Sequence, residues 1–167
     1  MEKIIYALWK DPAEDDARFN ARLLGDIAAR LGELAHAVRV NVQDDDVATG
    51  SSPRMTSTRP QMDAVIQLWL PSANDPERAA TDAVIADAAP RHAAWLVSES
   101  TIIANTQHPP APGARTEGFS QIVFLSLPPR LSHDGWRDAW QRQHSAVAVD
   151  TQSNFEYVQN LIIRPLS

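Results

Sequence analysis

The chain has 167 residues, 44% of them apolar, enough to bury a core in one sizeable domain or two small ones. It has no cysteine, which excludes disulfides, thiol nucleophiles and cysteine-ligated clusters. The net charge is −6, lysine occurs only at 3 and 10, and the arginines are scattered, so neither nucleic acid nor an anionic membrane is expected as a partner.

The opening MEKIIYALWK carries too short an apolar run for a secretory leader or a bilayer span before the charged DPAEDDAR, and a cytoplasmic protein is the expectation. IIYALW (4–9) is rich in β-formers and predicts a buried strand. Asp11-Pro12 opens the next element, where Phe19, Leu23, Leu24, Ile27, Leu31 and Leu34 recur at helical spacing. VRVNVQ (38–43) alternates as a strand does. Through 44–61 the apolar pattern vanishes, which predicts a long loop. MDAVIQLWLP (62–71) predicts a strand, 75–90 a helix with proline at each end, and AAWLVSESTIIA (93–104) another strand. TQHPPAPGARTE (106–117) reads as a linker. QIVFLSL (121–127) follows as a strand broken by Pro128-Pro129. Ser132 is an N-cap candidate with Asp134 in the first turn, for a helix through 136–148. EYVQNLIIRP (156–165) predicts the last strand.

The order predicts an α+β protein: a ferredoxin-like βαββαβ unit over 1–105, a linker over 106–117, and a partial βαβ repeat over 118–167. The two parts look related. IIYALW matches IVFLSL at an offset of 118, and at an offset of 117 Phe19 falls on Trp136, Leu23 on Trp140 and Ile27 on His144. The apolar positions repeat and the histidine does not, which points to a role peculiar to the second half.

Leu131-Ser132, Trp136, Trp140, His144 and Ala148, followed by Phe155 through Asn160, resemble the EthD family of the dimeric α/β-barrel superfamily. The likeness covers about 45 residues of the C-terminal part. It implies ferredoxin-like units whose sheets enclose a small apolar cavity, usually across a homodimer. It also implies a small apolar or aromatic ligand. In lactone-isomerase relatives a helix-end histidine and a tyrosine thirteen residues later line the pocket, and His144 and Tyr157 have that spacing. Those relatives also use a cysteine, which this chain lacks. The fold hosts many chemistries and names none by itself.

Trp136, Trp140 and His144 recur every four residues, which puts them on one face of a helix. His144 then either caps the helix or acts as a general acid or base. As a third reading, it ligates haem or a metal, although no HExxH is present. Strand alternation puts Tyr157 and Gln159 on one face and Val158 and Asn160 on the other. Apolar Val158 suits the helix side, which leaves Tyr157 and Gln159 as the cavity pair and Asn160 to fix a turn. Tyr157 alternatively packs as a rim tyrosine. Trp136 and Trp140 read as core, and Trp140, Trp69 and Phe124 are the aromatic wall of any pocket. His36, His92, His108 and His133 read as exposed, Ser132-His133-Asp134 as a helix cap, and the aspartates 44–46 as a solvated turn.

The leading expectation is a small enzyme without a cofactor, acting on a carbonyl-bearing ring compound such as a lactone or aromatic polyketide. The reaction would be isomerisation, cyclisation, dehydration or oxidation, with His144 moving a proton and Tyr157 orienting an oxygen. A non-catalytic ligand-binding or accessory protein and a haem protein are the alternatives.

Overall fold

The computed structural model describes residues 1–47, 59–74 and 76–166. The chain forms two compact units: Met1–Ser98 with Leu161–Ser167, and Glu99–Asn160. The division falls inside a strand, ahead of the segment 106–117 where the sequence places its boundary, and the chain's end returns to the first unit.

In the first unit, β1 (Glu2–Trp9) is buried along nearly its whole length, as expected of a central strand rich in β-branched and aromatic residues. It pairs antiparallel with β3 (Ala64–Leu70) on one side and with β4 (Arg91–Ile103) on the other. β2 (Ala37–Val42) pairs antiparallel with β3. With β5 (Tyr157–Pro165) beyond β4, the sheet order is β2-β3-β1-β4-β5. The first four strands interleave as a ferredoxin-like unit does, each helical connection stepping over one strand.

The helices lie on one face. α1 (Asp16–Arg22), a π-helical turn (Leu23–Ile27) and α2 (Ala28–Leu34) run on as a single helix. Its buried side chains are Phe19, Leu23, Ile27 and Leu31. These pack with Ile4, Tyr6 and Leu8 of β1, Ile66 and Leu68 of β3, and Val84 and Ile85 of α3 (Ala79–Ala88). The helix begins four residues after Pro12. Asp15 is the N-cap, accepting from the Arg18 N–H at 2.9 Å, while Asp11 closes a separate turn by accepting from the Ala13 N–H. Arg22 bonds Glu14 and also the Ala88 carbonyl at the end of α3, an acceptor the helix itself leaves open.

A buried polar network ties β1 to α3. The Tyr6 hydroxyl donates to Asp82 at 2.8 Å. Arg78 donates to the other oxygen of Asp82 at 2.7 Å and to the Ala73 carbonyl. The opposite sheet face carries a small cluster of Ile5, Val65 and Val97, with Trp95 and Met62 against it.

In the second unit, side-chain contacts hold parts of the segment 106–117. The Asn105 side-chain amide donates to the His108 carbonyl and accepts from the His108 N–H, both at 2.9 Å, and the His108 Nδ1 meets Glu117 at 2.6 Å. The His108 ring stacks edge-on against Phe155, next to which Gly118 turns with φ 73°. His108 is therefore half-buried rather than exposed, and so is His92, whose Nδ1 lies 2.9 Å from the Ala89 carbonyl. His36 and His133 are exposed as expected.

The expected strand over 121–127 does not form. These residues join no ladder and all are exposed, Val123 at 54% and Leu125 at 49%. β-propensity alone makes no strand without a neighbour to pair with. The expected loop 44–61 lies largely outside the described residues, although 45–47 form a short 3₁₀ turn.

Candidate functional site

The site is built on the helix of the second unit and on the start of β5. Ser132 is the N-cap, its Oγ accepting from the Gly135 N–H at 3.2 Å, with Asp134 in the first turn. α4 (His133–Arg137), a π-helical segment (Asp138–His144) and α5 (Ser145–Thr151) continue as one helix. The Trp136 and Trp140 rings stack with centroids 5.1 Å apart, both half-buried.

The π-helical segment changes which residues share a face. Its turn is wider by about one residue, so the neighbour above residue i is i+5 rather than i+4. Trp140 is thus aligned with Ser145, whose Oγ lies 3.4 Å from the Trp140 carbonyl. Ser145 and Ala148 are the buried positions of the last helical segment, and His144 is exposed. The expected row of Trp136, Trp140 and His144 on one face is therefore broken after Trp140.

Ser145 Oγ donates to the Gln141 carbonyl at 2.7 Å. The Gln159 amide nitrogen donates to Ser145 Oγ at 2.8 Å and to the Tyr157 hydroxyl oxygen at 2.8 Å, and reaches the Trp140 carbonyl at 3.4 Å. Gln159 is only 2% exposed. Its Oε1, like the Oδ1 of Asn160, is buried without a hydrogen-bond partner among the described residues. These contacts correct the expected face assignment. Tyr157 and Gln159 turn toward the helix, which leaves the Val158 face as the other one. A polar side chain can occupy a helix-facing position when the helix supplies acceptors, and here the π-helical turn frees the Trp140 carbonyl and Ser145 supplies its lone pair.

The residues of the expected aromatic wall divide between the two units. Trp140 belongs to the network. Phe124 lies in the exposed segment at 38% exposure. Trp69 belongs to the first unit, half-buried, with the Lys3 ammonium 4.6 Å from its ring centre. A depression of about 370 Å³ runs along the outer helix face, lined by Asp134, Arg137, Asp138, Gln141 and Arg142. There the Gln143 amide and the Arg142 guanidinium hold the Asp138 carboxyl below the usual carboxylate range. A smaller one of about 70 Å³ sits beside Phe19, Asn20 and Asp63. Neither takes in His144, Tyr157, Gln159, Phe124, Trp69 or Trp140. Among the described residues no three His, Asp or Glu side chains gather as a metal site would need.

Ser145 is the residue that the sequence pattern missed. It is small and polar, and it falls on the core face only if the helix gains a residue between Trp140 and itself. Nothing in an α-helical reading points to it.

No protein-family model matches the chain, and no curated protein matches it. No described helix is long and apolar enough to cross a membrane.

Proposed function

We propose that the second unit holds a small-molecule site centred on Tyr157 and Gln159, in a small cofactor-independent enzyme of the EthD type. Its substrate would be an apolar ring compound bearing a carbonyl, such as a lactone or an aromatic polyketide. Tyr157 would orient or polarise the carbonyl oxygen, and His144, next to the network in sequence, would move a proton. The observation that carries this reading is the buried Gln159 amide, which donates to the Tyr157 hydroxyl while its own oxygen has no partner among the described residues. With Gln159 donating to it, the Tyr157 hydroxyl keeps its own proton for a ligand's carbonyl oxygen, while the Gln159 oxygen, itself an acceptor, is open only to a donor such as a ligand hydroxyl. The internal repeat gains support from the helices: the π-helical turn Leu23–Ile27 falls within Asp138–His144 at the same offset of 117 that aligns the apolar positions.

The exposure of His144 favours a second reading, a ligand-binding or accessory protein with no turnover. Hydrogen–deuterium exchange beside the carbonyl of unsaturated lactones and aryl ketones, followed by NMR, separates the two. An enzyme of the proposed kind exchanges the proton, and His144→Ala slows exchange by roughly 10²–10⁴-fold. Binding without exchange, unchanged by His144→Ala, transfers the assignment to the binding protein.

A homodimer is part of the proposal. It is supported by Ile122, Val123 and Leu125, apolar residues that are exposed and outside the described strands.

A further inference from the structure

The direction of every hydrogen bond in the Ser145–Gln159–Tyr157 chain follows from one donor. Ser145 has a single hydroxyl proton, and it is directed to the Gln141 carbonyl at 2.7 Å. Toward Gln159 the serine oxygen therefore shows only a lone pair. The Gln159 group 2.8 Å from it must be a donor, which places the NH₂ there and the oxygen on the far side. The reverse orientation would set the amide oxygen against that lone pair and also against the Trp140 carbonyl 3.4 Å away. With the NH₂ so placed, its second hydrogen goes to the Tyr157 hydroxyl oxygen at 2.8 Å. Tyr157 accepts from the network, and its own proton is left pointing away from it.

We propose that Ser145 is a positioning residue that locks the Gln159 amide so that Tyr157 presents a hydrogen-bond donor, and that the site accordingly selects ligands by a hydrogen-bond acceptor such as a carbonyl oxygen. This rests on the Tyr157-centred site proposed above but not on the role of His144. Were Ser145 absent, the amide would be free to turn over. Tyr157 would then donate inward to Gln159 Oε1, and the donor would be lost to the ligand.

The test uses coumarin and 2H-chromene, the same ring system with and without a carbonyl, bound to the full-length protein and followed by ¹H–¹⁵N NMR. Coumarin is expected to bind about ten-fold more tightly, the size of one hydrogen bond, and to shift the Gln159 side-chain signals. Tyr157→Phe should abolish the difference. Ser145→Ala should shrink it, and Ser145→Thr, which keeps the oxygen, should restore it. A second measurement needs no ligand and no variant: both Gln159 side-chain amide protons should exchange slowly with solvent. Equal binding of the two compounds overturns the donor assignment and leaves the site standing. A difference that survives Ser145→Ala, or fast exchange of the Gln159 amide protons, overturns the role of Ser145. If neither compound moves the Tyr157 or Gln159 signals, the inference and the site it rests on both fall.

Discussion

At the scale of single residues, His144 and Ser145 exchange the places that their spacing assigns to them. The sequence puts His144 in line with Trp136 and Trp140, and the folded helix puts Ser145 inward and His144 in solvent. A consequence for stability follows. His144→Ala is expected to change the unfolding free energy by no more than about 0.5 kcal/mol, since an exposed side chain makes few contacts that folding creates. Gln159→Leu should cost about 1–3 kcal/mol, because it leaves the Ser145 and Tyr157 oxygens without the donor they share. Urea unfolding of the two variants beside the parent measures both. Of the candidate pair on β5, the sequence shows the alternation and therefore that Tyr157 and Gln159 share a face. It does not show which face, because parity is the same whether the helix or the far side receives them.

At the scale of elements, the link between β1 and α3 carries a pH dependence. Burial, reinforced by the neighbouring Asp82 carboxylate, raises the Tyr6 phenol far above its usual range. The unfolded phenol ionises near pH 10. Tyr6 therefore contributes its full share of stability below about pH 10, where both states hold the proton. That share is lost as the pH rises further, because only the unfolded chain releases it readily. Urea midpoints measured from pH 8 to 11 should fall at the alkaline end, and Tyr6→Phe should flatten that fall. At neutral pH the same variant is expected to cost about 1.5–3 kcal/mol, the range for a hydrogen bond to a charged group. The helices themselves are largely legible in the sequence. Phe19, Leu23, Ile27 and Leu31 mark the buried stripe of the first helix, and Ser132 marks the start of the last. The π-helical turns are not legible, since a widened turn is favoured by what packs against the helix and leaves no reliable mark in local composition.

At the scale of the whole molecule, the run 121–127 is an apolar segment without a place in a ladder. β1, whose IIYALW it resembles in sequence, is a central strand with a neighbour on each side. Under the proposed homodimer a second copy covers this segment. Sedimentation velocity is expected to show a dimer at micromolar concentration, and Val123→Asp with Leu125→Asp should give a folded monomer. A monomeric parent with these residues still exposed would remove the dimer from the proposal.

By itself the sequence determined the α+β class, the βαββαβ order of the first unit, and the residues that bury its core. These depend on periodicity and on the local stop signals of proline, glycine and capping side chains, which neighbouring residues carry. It also determined that Tyr157 and Gln159 share a face, by alternation alone. Only the tertiary structure decided that β5 lies beyond β4, that 121–127 finds no ladder, and that Ser145 rather than His144 faces inward. Each of these turns on what an element finds beside it: a strand needs a free edge to pair with, and the face that a widened helix turn buries is set by the packing around it.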